Sequence, residues 1–299
     1  MDILTVRGLH KSFGDKKVLC GLDLNVPEGS VFGFVGRNGA GKTTTMKSIL
    51  GLLKPDGGEI TVAGEAVKFG QTATNRYVGY LPDGPEFYSF MTAREYLRLC
   101  GECMDMPDRE IGERSEELLS LVGLADERHR IKGFSRGMKQ RLGVAQALLG
   151  SPKLLICDEP TSALDPIGRR EILDVMISVR ERTTVLFSTH ILSDVESICT
   201  DVALLEGGRI AMQGGVSALR SNSGADSFIA EMLDADAAEK LLSAFPDAVR
   251  KDRVSLVFSG GAERIFEVLA FIGEKKLPLR KIERAERSLE SLFAEVVKK

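Results

Sequence analysis

The residues best suited to chemistry begin with Gly36-Arg37-Asn38-Gly39-Ala40-Gly41-Lys42-Thr43, which has the spacing G-x-x-x-x-G-K-[ST]. Its glycines allow a tight turn whose backbone N–H groups converge on an anion. The helix opening at Lys42 adds the partial positive charge of its N-terminus. In such a loop Lys42 reaches the terminal phosphates of ATP, and the Thr43 hydroxyl ligates Mg²⁺. A second candidate is Leu154-Leu155-Ile156-Cys157-Asp158-Glu159, an apolar strand run that ends in two carboxylates. Asp158 can bind Mg²⁺ directly or through water. Glu159, beside it, can orient or deprotonate an attacking water. Alone, each motif has a plain reading, a glycine-rich turn or two solvated acids at a strand end. Together they describe hydrolysis of a nucleoside triphosphate.

The elements that must position these groups follow from periodicity and turn residues. Ile3–Val6, Val18–Val26 and Val31–Val35 read as strands, separated by turns at Phe13-Gly14-Asp15 and Pro27-Glu28-Gly29. Lys42–Leu53 has helical spacing, and Glu59–Val62 and Tyr77–Leu81 are further strands. Helices then dominate. Thr92 is expected to cap one, with Glu95 at the reciprocal capping-box position. Arg109–Val122 and Met138–Leu149 follow. Strands return at Leu154–Cys157, Thr184–Ser188, Val202–Glu206 and Arg209–Met212, with helices at Pro166–Arg182 and Ile191–Cys199. Strands alternating with helices around an all-helical insert, about residues 87–149, predict an α/β layer with a mostly parallel sheet. Ser221-Asn222-Ser223-Gly224 is the expected linker between a domain at 1–220 and another at 225–299. The second reads strand (Ser227–Met232), helix (Ala235–Phe245), two short strands (Ala248–Lys251, Arg253–Phe258), helix (Ala262–Glu274), strand (Leu279–Glu283), helix (Ser288–Val297). That is a small α+β domain.

Composition narrows the function classes. The 299 residues are 43% hydrophobic and 28% charged, with net charge −3 and a pI near 5.8. That balance gives no broad electrostatic grip on nucleic acid or anionic lipid. The start, MDILTVRGLHKSFG, lacks a secretory leader, and no stretch reaches the 18–20 apolar residues of a membrane span, so a soluble chain is expected. Five scattered cysteines fit reduced thiols in the cytosol. Cys100 and Cys103 form a C-x-x-C without the second ligand pair that zinc needs, and they read as two small groups on one helix face.

The ordered set of motifs resembles the nucleotide-binding subunit of an ABC transporter over residues 1 to about 215. Phe134-Ser135-Arg136-Gly137-Met138-Lys139-Gln140 resembles the family's signature, with Ser135 and Gly137 matching. Pro160 to Asp165 resembles the D-loop, and His190 the switch histidine at the terminal phosphate. Phe13 sits where the family stacks an aromatic ring on adenine, with core packing as the alternative. Ser135 also reads as a helix N-cap, a role compatible with phosphate binding.

The resemblance implies an α/β fold: a P-loop NTPase core with a mostly parallel sheet, an antiparallel β subdomain and a helical insert, followed by a small C-terminal α+β domain. It implies an ATPase that drives substrate export through a separate membrane permease, with Mg²⁺ as cofactor. Glu159, His190 and Lys42 are the expected catalytic residues. Nucleotide contacts are expected from Phe13, Gly36, Arg37, Asn38, Gly39, Ala40, Gly41, Lys42, Thr43, Thr44, Asp83, Ser135, Gly137 and Asp165. Metal contacts are expected from Thr43, Asp158 and Asp83. The implied partners are a second ATPase subunit, packed head to tail as a homodimer or pair with shared ATP sites, and the permease. No nucleic acid is expected, and the location is cytoplasmic, peripheral on the inner face of the membrane. The other readings are a soluble ATPase acting on nucleic acid or ribosomes, disfavoured by the single cassette, and a nucleotide switch, disfavoured by Glu159 and His190. Two positions depart from the family pattern. Asp83 stands where Gln is usual, and an ionised carboxylate cannot donate as an amide does. Met138 stands where the signature usually has Gln. The bacterial exporter branch carries such substitutions and often a C-terminal extension ending in a motif like Ser288-Leu289-Glu290-Ser291-Leu292-Phe293. The extension's role is open between a dimer contact and a structural appendage.

Overall fold

Strand β1 (Asp2–Phe13) buries Ile3, Leu4 and Val6 and then runs well past the expected end at Val6. Its pairing register shifts between Val6 and Leu9, where Gly8 takes φ +54° and its N–H donates to Asp23 Oδ1 at 2.8 Å. A bulge at Arg7–Gly8 resets the alternation, so a period of two breaks while the strand continues. In the computed structural model, residues 1–71, 73–162, 164–221, 227–284 and 289–297 are described. They divide between two compact units, Met1–Val216 and Ser217–Lys299.

In the first unit, β2 (Lys16–Pro27) pairs antiparallel with β1. Strand β3 (Val31–Gly36), buried at every position, leads through the glycine loop into α1 (Lys42–Ile49). The helix stops short of the expected Leu53. Gly51 adopts φ +68°, and the N–H groups of Leu52 and Leu53 turn back to the Lys47 carbonyl at 2.9 and 3.1 Å, satisfying a terminal acceptor. Next come β4 (Gly57–Val62), β5 (Glu65–Ala66) and β6 (Val78–Leu81). The helical insert holds α2 (Ala93–Cys103), α3 (Asp108–Leu121) and α4 (Arg136–Leu148). The remaining elements are β7 (Leu154–Cys157), α5 (Pro166–Val179), β8 (Thr184–Thr189), α6 (Leu192–Ile198), β9 (Asp201–Glu206) and β10 (Arg209–Gly215); α7 (Val216–Ser221) begins on the unit's last residue and belongs otherwise to the second.

Two sheets result. One is antiparallel, in the order β2-β1-β4-β5. The other runs β10-β9-β3-β8-β7-β6 and is parallel except at its β10 edge. Strands β3, β7 and β8 are buried on both faces, as central parallel strands are, which explains the apolar character of β3 and β7; β8 buries Thr184, Ser188 and Thr189 beside Val185, Leu186 and Phe187. A single apolar cluster joins the sheets, from Leu4, Leu22 and Val62 to Phe32, Phe34, Leu154, Ile156 and Leu186.

The insert is fixed at both ends. Thr92 caps α2 with the expected reciprocal pair: its hydroxyl accepts from Glu95 N–H at 3.3 Å, and Glu95 Oε2 accepts from Thr92 N–H at 2.8 Å. At the other end α4 lies against β6. A Cβ placed on Gly79 would stand 2.0 Å from the Ala147 carbonyl oxygen, so only glycine allows that approach. The strand leading to Asp83 is thereby held against the helix that Ser135 begins.

In the second unit, β11 (Ser227–Met232), α8 (Ala235–Ala244), β12 (Val249–Arg250), β13 (Ser255–Ser259), α9 (Ala262–Glu274) and β14 (Leu279–Arg284) form a βαββαβ chain. Its antiparallel sheet has the order β12-β13-β11-β14, the ferredoxin-like arrangement. Phe228 and Phe258 stack at 5.0 Å in its core, and the edge of Phe245 meets Phe258 at 5.8 Å. Helix α10 (Leu289–Val297) ends the described chain. Of the expected linker, Ser221 closes α7, an element absent from the sequence reading, while residues 222–224 lie outside the described residues, as does Ser288.

Candidate active site

The glycine loop is shaped by close approaches. Gly41 has φ +114°, and a Cβ there would stand 2.8 Å from Leu19 Cδ2. The loop's outer residues Arg37, Asn38 and Gly39 are exposed, and Ala40 is half-buried. Beyond them α1 presents Thr43, exposed, and Thr44, half-buried, in a first turn with no acidic residue to offset its N–H groups. Lys42 is only 6% exposed. Its ammonium donates to the Gly36 carbonyl at 2.7 Å and lies 3.4 Å from that of Arg37.

Lys42 has a further partner across the sheet: Glu159 Oε1 lies 3.0 Å from its Nζ. The other carboxylate oxygen, Oε2, lies 2.9 Å from His190 Nδ1. One carboxylate thus spans the loop lysine and the histidine. Glu159 itself sits at φ +48°, a left-handed conformation that costs a residue with a Cβ roughly 1–2 kcal/mol. His190 is held by its own turn, because the Thr189 hydroxyl accepts the Ile191 N–H at 3.0 Å.

Asp158 is 2% exposed, its N–H donates to the Leu81 carbonyl at 2.8 Å, and its Oδ1 accepts from the Ser188 hydroxyl at 2.6 Å. The half-buried Tyr80 phenol is pushed up to about 12, first by burial and next by the negative charge of Asp158, so it stays neutral. Asp83 is exposed and accepts from the Ser162 hydroxyl at 2.7 Å, which ties it to the segment just after Glu159. That segment is anchored in turn: Thr161 donates to Asp194 Oδ2 at 2.8 Å, and Arg169 donates to Asp194 Oδ1 at 2.5 Å.

The remaining expected residues make contacts within their own segments. Ser135 caps α4, accepting from Met138 N–H at 3.2 Å, and Gly137 in the first turn is half-buried. Asp165 caps α5 through Gly168 N–H at 2.8 Å. Phe13 is not core: its ring is 51% exposed, with the Lys11 ammonium 5.4 Å from its centroid. Cys100 is half-buried and Cys103 is exposed; both are free thiols. Ser188, Asp194 and Arg169 carry no motif. Their side-chain partners are 24 to 33 residues away along the chain.

The donor set can be tested against a metal. Among the described residues no group of three His, Cys, Asp or Glu gathers as a free-standing ion site. Asp158, 2% exposed, and the exposed Thr43 hydroxyl are hard oxygen donors. Mg²⁺ needs only one or two carboxylates when phosphates and waters complete its shell, so the residues fit Mg²⁺ bound together with a nucleotide.

Comparison with known proteins gives a consistent answer. The ABC transporter family profile matches residues 19–162. An uncharacterized ABC transporter ATP-binding protein of Bacillus subtilis, YxlF, is 37% identical over 306 residues, covering 99% of each chain. The bacitracin transport ATP-binding protein BcrA of Bacillus licheniformis is 41% identical over 211 residues, 70% of this chain and 68% of its own. A solved ATP-binding subunit of an ABC transporter superposes with a TM-score of 0.65 and 32% identity, over 73% of this chain and 92% of that one.

Proposed function

The chain belongs to the ABC transporter family, as an ATP-binding subunit that hydrolyses ATP and serves a membrane permease, and from that premise we propose the roles of its residues and the assembly in which it works. Gly36 to Thr44 bind the triphosphate through backbone N–H groups, with Lys42 on the terminal phosphates. Phe13 stacks on adenine. Thr43 and Asp158 would hold Mg²⁺, with Asp83 placed to hold a water beside it. The ion would supply charge neutralisation at the phosphate oxygens.

Glu159 accepts the proton of the attacking water, and His190 steadies that carboxylate and meets the terminal phosphate. ATP must first displace Glu159 from Lys42, which converts an internal ion pair into a base facing the bond to be cut. The observation that carries this reading is the cluster Lys42–Glu159–His190, at 3.0 and 2.9 Å, in the mouth of the glycine loop.

The assembly we infer is a head-to-tail pair in which Ser135 and Gly137 of one subunit close over ATP held by the other, with Asp165 near the seam. The first turn of α4, with Arg136 exposed and Gly137 half-buried, suits that role. The helical insert transmits the motion to the permease; Tyr88 and Phe90, 55% and 60% exposed just before α2, offer it an apolar surface. No helix among the described residues is long and apolar enough to cross a membrane. A location on the inner membrane face, through the permease, follows from the assembly. Export as the direction rests on the resemblance of this sequence to the exporter branch; BcrA is named for bacitracin transport, with no direction stated.

Replacing Glu159 by Gln should leave ATP binding intact and slow hydrolysis at least about a hundredfold. Near-normal turnover in that variant overturns the assignment. The rate per subunit of the parent should rise with protein concentration or with added permease, and a rate indifferent to both counts against the shared site.

A further inference from the structure

Strands β7 and β8 run parallel, with Cys157 opposite Phe187. The next residue on each, Asp158 and Ser188, therefore lie side by side where the sheet delivers its acids. Ser188 is completely buried, and its hydroxyl serves two masters. It donates to Asp158 Oδ1 at 2.6 Å and accepts the Glu159 N–H at 2.9 Å.

The second bond falls where the chain most needs holding. Glu159 is in the left-handed conformation, its N–H has left the strand ladder, and its side chain departs toward Lys42 and His190. The Ser188 oxygen is the partner that N–H finds. A single hydroxyl thus fixes the side chain of one acid and the backbone of the next.

We propose that Ser188 is a positioning residue for ATP hydrolysis, orienting the Asp158 carboxylate and clamping the bend that aims Glu159 at the phosphate mouth. The inference rests on the reading of Asp158 as the metal ligand and Glu159 as the base. A hydroxyl that only satisfied buried neighbours would affect folding and leave the metal requirement alone. A positioning hydroxyl separates the catalytic step from ATP binding and changes how much Mg²⁺ the site needs. Groups that orient metal ligands typically account for about 10–100-fold in metal affinity or activity.

The test uses the full-length protein with Ser188→Ala, the shape-matched pair Ser188→Thr and Ser188→Val, and Glu159→Gln as reference. The Ala variant should lower kcat about tenfold or more while KM for ATP moves less than about threefold. The free Mg²⁺ giving half-maximal rate should rise. Without turnover, the gain in affinity for a fluorescent ATP analogue on passing from EDTA to Mg²⁺ should shrink. Thr, which restores the hydroxyl, should exceed Val in kcat and in that Mg²⁺-dependent gain by at least about fivefold.

Should the Ala variant keep the parent's kcat and Mg²⁺ midpoint, the proposal is wrong. Equal behaviour of Thr and Val also overturns it, and if the Ala variant does not fold, that pair decides. Fast hydrolysis by Glu159→Gln removes the underlying assignment of the base. An inactive Glu159→Gln beside a fully active Ser188→Ala removes Ser188 alone.

Discussion

An aromatic ring on the surface of a nucleotide site costs hydration and contributes little to folding unless something covers it. Phe13 ends β1 beside the turn Gly14-Asp15, half its surface in water and its only described ring contact with Lys11. Stacking a base on such a ring contributes roughly 1–3 kcal/mol. Phe13→Ala should therefore weaken ATP binding about 5- to 150-fold, by equilibrium titration, and Phe13→Tyr should restore it. Stability should change by no more than about 0.5 kcal/mol in a urea melt, because the ring leaves no cavity. A large loss of stability with unchanged affinity would return Phe13 to the core. The same residue-scale logic explains why the site was only partly legible in the sequence. Gly36–Thr43 and Asp158–Glu159 are contiguous, so their chemistry can be read in order. The Lys42–Glu159 pair spans 117 positions, the difference of the two residue numbers, and is set by strand order alone. Ser188 is one of three hydroxyl residues in β8, with Thr184 and Thr189, and its purpose emerges only when β7 is known to lie beside β8.

At the scale of elements, the turn after Glu159 and the helix after His190 are joined by a buried charge. Asp194 on α6 is 1% exposed and holds Thr161 from that turn and Arg169 from α5. Removing the cation leaves a carboxylate buried with one hydroxyl, at a cost of about 3–5 kcal/mol. Removing the charge of the acid costs less, since Arg169 is 28% exposed and can turn to water. Arg169→Ala should lower the urea midpoint more than Asp194→Asn does, and the double variant should recover part of the loss. Equal losses that simply add would show the pair to be uncoupled. Elements were legible where local chemistry decides them. Thr92 and Glu95 announced the start of α2, and the run Leu154–Cys157 announced β7. Elsewhere tertiary geometry overrides pattern. The bulge at Gly8 hid the second half of β1, and the turned-back carbonyl at Lys47 ended α1 before its leucines did.

At the scale of the whole chain, the two units draw their cores from separate residues. The cluster of the first runs from Ile3 to Leu205, and that of the second from Phe228 to Ile272. Units with separate cores melt separately unless a large apolar interface couples them. Phe258 is completely buried between Phe228 and Phe245, so Phe258→Ala should cost about 3–5 kcal/mol. Calorimetry should show that loss in one transition and leave the other in place, with the dissociation constant for ATP within about twofold of the parent. A parallel shift of both transitions, or a tenfold change in affinity, would mean that the units fold as one. The variant also separates the two readings of the C-terminal unit. If that unit is a dimer contact, the protein concentration giving half-maximal turnover rises in Phe258→Ala while the plateau rate holds. If it is an appendage, the half-point stays where it was, since the groups proposed to cut ATP, Lys42, Glu159 and His190, lie in the first unit.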